Sequence, residues 1–90
     1  MRIRREYSVR ELAGEHVIVA PAPRGGADFT RILALNASAL YLWEALQERD
    51  FSPEEAAQLL VARYDVAPDV ARDDARRWIG RLTDCGIIEP

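Results

Sequence analysis

The chain of 90 residues contains one histidine, His16, and one cysteine, Cys85. A thiol and an imidazole can act together as a nucleophile and its base, but the pair needs an orienting group, and no motif for one accompanies these residues. A structural zinc site needs more Cys and His ligands than the two in this chain. We therefore expect no catalysis, no metal site and no cofactor.

Paired carboxylates and paired glycines are the other candidates for chemistry. Glu54-Glu55 opens a predicted helix, where the helix dipole favours negative charge. Asp73, Arg77 and Arg81 follow one another at four-residue spacing, which predicts a solvated ladder of charges on a helix, worth about 0.3–0.5 kcal/mol a pair. Gly25-Gly26 is not followed by Lys and a helix, as a phosphate-binding loop would be. The sequence favours a protein that is not an enzyme.

Composition limits the chain to one domain, which we expect to span residues 1–90. Hydrophobic residues make up 49% of the chain, enough for one modest core. The net charge of -3 disfavours a long nucleic-acid track, although all 12 basic residues are Arg. A lone cysteine suits a reducing compartment, and neither a signal peptide nor a membrane-spanning run is apparent, so we expect a cytoplasmic protein.

The first third of the chain has the pattern of strands. Polar and apolar residues alternate over 6–10, and the β-rich run 16–20 follows the turn signal Ala13-Gly14, which together predict a hairpin. Residues 21–27 hold two prolines and two glycines and are predicted to be a surface loop. A third strand, Asp28 to Leu35, is expected after that loop.

From Asn36 onward the apolar residues follow the period of helices. Asn36 is a cap for a first helix over 37–49, and the Ser52-Pro53-Glu54-Glu55 run predicts a capping box at the start of a second. A third helix is expected from Pro68 to Gly86, where glycine suits the left-handed residue that stops a helix. The predicted fold class is α+β, with a three-stranded antiparallel sheet followed by three helices.

Several short runs carry a family resemblance: Asp28–Leu33, Leu35-Asn36, Leu42–Leu46, Tyr64–Val66 and Leu82–Ile88. Their order and spacing resemble those of PqqD-like domains, over a match from about Tyr7 to Ile88. The opening Arg10–Glu15 looks like the free-standing members of the family more than the pyrroloquinoline quinone protein itself.

The resemblance implies a winged-helix-like fold and a non-catalytic recognition element for ribosomally made, post-translationally modified peptides. The leader of the precursor would be added as a strand along the third strand, in the groove facing the third helix, Asp69 to Arg81. A leader peptidase or a radical-SAM enzyme would then be the partner. The residues implied to contact the peptide are Phe29, Thr30, Arg31, Ile32, Leu33, Ala34, Asp73, Arg76 and Arg77.

Physical chemistry supports such a use of the third strand. A strand at the edge of a sheet offers unpaired amides and carbonyls to an incoming peptide. Apolar strand residues such as Ile32 could bury a leader side chain, and Arg76 or Arg77 could hold an acidic one. Trp78 and Leu82 are expected to belong to the core instead. The same exposed edge leads us to expect a monomer or a weak dimer.

The main alternative is a DNA-binding winged helix, because four arginines lie on the predicted third helix: Arg72, Arg76, Arg77 and Arg81. Nearby aspartates offset this charge, and the loop at 21–27 carries only Arg24, so no basic wing is evident. A small enzyme or a chaperone-like structural subunit is the remaining alternative.

Overall fold

A computed structural model describes residues 1–21 and 30–89 of the chain. Within these residues the elements follow in the order β1 (Arg2–Ile3), β2 (Val9–Leu12), β3 (Glu15–Pro21), β4 (Thr30–Leu35), α1 (Ala37–Leu46), α2 (Pro53–Arg63), α3 (Pro68–Asp84) and β5 (Ile88–Glu89). The predicted α+β class, with a three-stranded antiparallel sheet followed by three helices, is confirmed. Most of the predicted loop 21–27 lies outside the described residues, and Pro21 belongs to β3.

The predicted hairpin is present as β2 and β3. Its two-residue turn has positive φ at both Ala13 (53°) and Gly14 (83°), the backbone that matches the twist of the two strands. Ile18 pairs with Leu33 of β4 and is fully buried, whereas its neighbour Val19 pairs with Ile32 and is 41% exposed. Alternation along β3 therefore fixes which face of the sheet meets the core.

The first and last described strands pair with each other, a contact that the sequence pattern does not predict. β1 and β5 form a separate two-stranded antiparallel sheet, with Ile3 opposite Ile88. Both isoleucines are buried in the hydrophobic core. Strands of two residues are too short to show alternation, and only the packing of the helices between them brings the two ends together.

The helix starts match the predictions, whereas the first helix ends earlier than predicted and α3 ends at Asp84, two residues before the predicted Gly86. Asn36 caps α1 by accepting a hydrogen bond from the Ala39 amide at 2.9 Å. The helix ends at Leu46 and not at residue 49, because Gln47 is extended (ψ 144°) and Glu48 has a positive φ of 60°. Both bonds of the predicted capping box, between Ser52 and Glu55, are present at the start of α2.

The end of α3 has the backbone pattern that the glycine predicted. Gly86 has φ 75°, its amide donates to the Thr83 carbonyl, and the Ile87 amide donates to the Leu82 carbonyl at 2.8 Å. These two bonds form a Schellman motif, which satisfies carbonyls that the last turn would leave unpaired. The motif also turns the chain back toward the core, so that Ile87 and Ile88 are buried.

The core lies between the inner face of the sheet and the three helices. α3 contributes one side, which carries Ala71, Ala75, Trp78, Ile79 and Leu82. Trp78 and Leu82 are buried, as expected. Among the described residues, no helix is long and apolar enough to cross a membrane.

Candidate functional site

β4 is an edge strand of the three-stranded sheet in the part of the chain that the structure describes. The strand order is β2-β3-β4, and the pairing with β3 runs from Pro21 opposite Thr30 to His16 opposite Leu35. An edge strand presents unpaired amides and carbonyls on its free side. β4 therefore offers a six-residue stretch of backbone for pairing with another chain.

The side chains of β4 divide between the two faces of the sheet. Leu33 and Leu35 are partly buried and pack against the core, while Ile32 is 59% exposed and Ala34 is exposed. Phe29, the first residue of the predicted site, lies outside the described residues, and Thr30 and Arg31 are described only as members of the strand. An exposed branched side chain at a sheet edge is a contact point for an added strand.

A groove lies between the second half of β4 and the second half of α3. Its volume is about 260 Å³. Its apolar lining comes from Leu33 and Leu35 on one side and from Trp78 and Leu82 on the other. The charged side chains in the lining are Glu15 and Arg81. The residues that line this part of the groove are Glu15, Leu33, Ala34, Leu35, Asn36, Ala39, Trp78, Arg81 and Leu82.

The groove continues past the end of β4. A second hollow of about 250 Å³ shares Asn36, Ala39, Trp78 and Arg81 with the first. It lies where the beginning of α1 faces α3, and its lining also includes Ser38, Leu42, Leu60, Asp74 and Arg77. A peptide paired with β4 can therefore remain in contact with the protein beyond Leu35.

Of the three α3 residues predicted to contact the peptide, one lines the groove and two do not. Arg77 lines the groove, and its nearest ion-pair partner is Asp74 at 3.7 Å, not the Asp73 of the expected ladder. Asp73 and Arg76 are exposed and do not line the groove, so their role stays a prediction.

Arg81 and Trp78 line both parts of the groove, although neither was placed in the site from the sequence. Residues three and four positions apart lie on the same side of a helix. Assigning Arg77 to the groove would therefore also have pointed to Arg81, four residues later.

Trp78 has an unusual hydrogen-bonding state. Its side chain is 8% exposed, and it contacts Phe51 with ring centroids 6.3 Å apart. Its indole N–H is buried and has no hydrogen-bond partner, and no other buried side-chain nitrogen or oxygen in the described part of the chain shares this condition. A buried donor without a partner costs about 1–3 kcal/mol relative to a satisfied one.

The residues that could have supplied catalysis lie on different elements. His16 belongs to β3, while Cys85 is the buried cap at the end of α3. Within residues 1–21 and 30–89, no three His, Cys, Asp or Glu side chains form a group that could hold a metal ion. The absence of turnover and of metal stays a prediction.

The chain matches the model of a known protein family. The family model described as Coenzyme PQQ synthesis protein D (PqqD) matches residues 15–88. No curated protein and no solved structure matches the chain. The matched segment contains β4, α3 and every residue that lines the groove.

Proposed function

Since the chain belongs to the PqqD family, whose members bind a precursor peptide and partner with modifying enzymes, we propose that it captures a leader peptide by strand addition along β4. The leader lies in the groove between β4 and α3 and is presented there to a tailoring enzyme. The protein itself performs no chemistry on the peptide. The modifying enzyme belongs to a lasso-peptide or radical-SAM type of pathway, and the protein works in the cytoplasm.

The observation that carries this proposal is the free edge of β4 beside an apolar groove. Each backbone hydrogen bond to a leader contributes roughly 0.5–1.5 kcal/mol net, while ordering each leader residue costs roughly 1–2 kcal/mol. Pairing by itself therefore gives little affinity. One apolar leader side chain buried against Leu33, Trp78 and Leu82 contributes about 1.5–3 kcal/mol more, which makes the groove the source of affinity and specificity.

The charge distribution on α3 disfavours DNA as the ligand. Arg72 lines a hollow beside α2, whereas Arg77 and Arg81 line the groove beside β4. The arginines therefore do not form one basic stripe. Asp74 reduces the charge on the groove side, and Asp69 and Asp73 lie on the same helix. A phosphate backbone needs several cations in a row, which this helix does not offer.

The proposal is tested with leader peptides taken from candidate precursors encoded near the gene. Fluorescence anisotropy with a labelled leader should give micromolar or tighter binding, which corresponds to about -8 kcal/mol or better. A scrambled leader of the same composition is the control.

Amide hydrogen exchange followed by NMR tests strand addition directly. Amides on the free side of β4 should become protected when the leader binds, because they acquire partners. The free edge of β2 serves as an internal control and should not change. Binding without new protection in β4 would contradict strand addition, and a shift of duplex DNA at physiological salt without leader binding would favour the DNA-binding alternative.

A further inference from the structure

Two arginines lie on the groove side of α3, on either side of Trp78. Arg77, Trp78 and Arg81 line the part of the groove beyond the end of β4. Asp74 is the acidic residue in that lining, and it pairs with Arg77 at 3.7 Å. Arg81 has no ion pair in the described part of the chain. This part of the groove therefore has more positive than negative charge.

Two local features raise the positive potential in this part of the groove, whereas Glu15 lies with Arg81 in the lining of the other part. Arg77 and Arg81 are four residues apart on one helix, a spacing at which like charges repel. The beginning of α1 faces them across the groove, and its first turn contains no acidic residue. The dipole of a helix places partial positive charge at this end. A bound anion would relieve both effects.

We propose that the groove beyond Leu35 takes an acidic side chain of the leader, whose carboxylate accepts hydrogen bonds from Arg81. This inference rests on the proposed function and names the chemistry that the site selects. An ionised carboxylate is an acceptor only, and its two oxygens match the planar fork of a guanidinium. A carboxamide has one acceptor oxygen and directs two donors at the arginines, so the site discriminates Glu from Gln and Asp from Asn.

A display library of random peptides, long enough to pair with all of β4 and to reach past Leu35, is the first probe. Selection on the immobilised protein should enrich peptides with alternating apolar residues and with Asp or Glu at one fixed position near one end of the paired segment. Enrichment of strand-forming peptides with no acidic preference overturns the inference and leaves the proposed function standing. If no peptide is enriched and no leader protects β4, the proposed function fails as well.

The second measurement is a double-mutant cycle between the protein and a selected, fluorescein-labelled peptide. Arg81→Gln should weaken binding of the acidic peptide about tenfold, a difference of about 1.4 kcal/mol, and should hardly change binding of the matching amide peptide. Arg72→Gln removes the same charge from the α2 side of the same helix and should leave both affinities unchanged. Equal losses for the acidic and the amide peptide overturn the inference.

Discussion

Two serines, Ser38 and Ser52, lie near the starts of helices, and their hydroxyls contribute differently to helix stability. Ser52 accepts a hydrogen bond from the Glu55 amide and thereby satisfies a donor that the helix itself cannot. Ser38 is already inside α1, and its hydroxyl donates to the Asn36 side chain. Only the first of these bonds stabilises the helix backbone directly.

We predict that Ser52→Ala lowers the free energy of unfolding by about 1 kcal/mol, because the Glu55 amide loses its cap. Urea denaturation followed by circular dichroism measures the change. Ser38→Ala is the matched control and should cost less, since no backbone amide depends on its hydroxyl. Equal losses in the two variants would show that the capping box does not stabilise α2 as described.

At the scale of elements, β4 combines a structural and a binding role. Its inner side chains, Leu33 and Leu35, pack against the core, while its outer side chain Ile32 is in solvent. The strand is paired on one side only, as far as the described residues show. A change to the backbone of β4 should therefore affect peptide binding more than a change to an exposed side chain.

We predict that Ile32→Pro weakens leader binding by more than tenfold, because proline removes an amide and distorts the edge strand. Ile32→Thr is the matched control: it keeps the amide and a β-branched side chain, so its effect should be limited to the lost apolar contact. Anisotropy titrations of a labelled leader compare the two variants, and circular dichroism confirms that each is folded. Undiminished binding by a folded Ile32→Pro protein would exclude pairing along β4.

At the scale of the whole molecule, the β1–β5 pair joins the two ends of the described chain. Ile3 and Ile88 are opposite each other in this pair and belong to the same core as α3. The Phe51 amide donates to the Met1 carbonyl at 2.9 Å, which ties the first residue to the segment before α2. The pair leaves the edge of β4 free for another strand, in a separate sheet.

We predict that the protein is a monomer when dilute, or a weak dimer through β4, since an edge that accepts a peptide can also accept a second copy. Analytical ultracentrifugation over a concentration series measures the association. A saturating concentration of leader peptide should dissociate any dimer, because the leader and the second copy compete for the same edge of β4. A stable tetramer at micromolar concentration, or a dimer that persists with bound leader, would contradict this prediction.

The sequence by itself determined the features that depend on a few neighbouring residues. Three such features are the Ala13-Gly14 turn, the Ser52 capping box and the end of α3 before Gly86. Each involves residues at most a few positions apart, so each can be predicted from the sequence. The order of three strands and three helices followed from periodicity, and the family resemblance located β4 and α3 as the elements of the site.

Tertiary structure decided which residues of those elements meet. The sequence reading chose Asp73 and Arg76 on α3, whereas the helix turns Arg81 and Trp78 toward the groove beside Arg77. That choice depends on how α3 rotates to bury Ala71, Ala75 and Leu82, which the packing of the sheet and the other helices sets. The β1–β5 pair has the same origin, because it depends on a contact between segments that are far apart in the sequence.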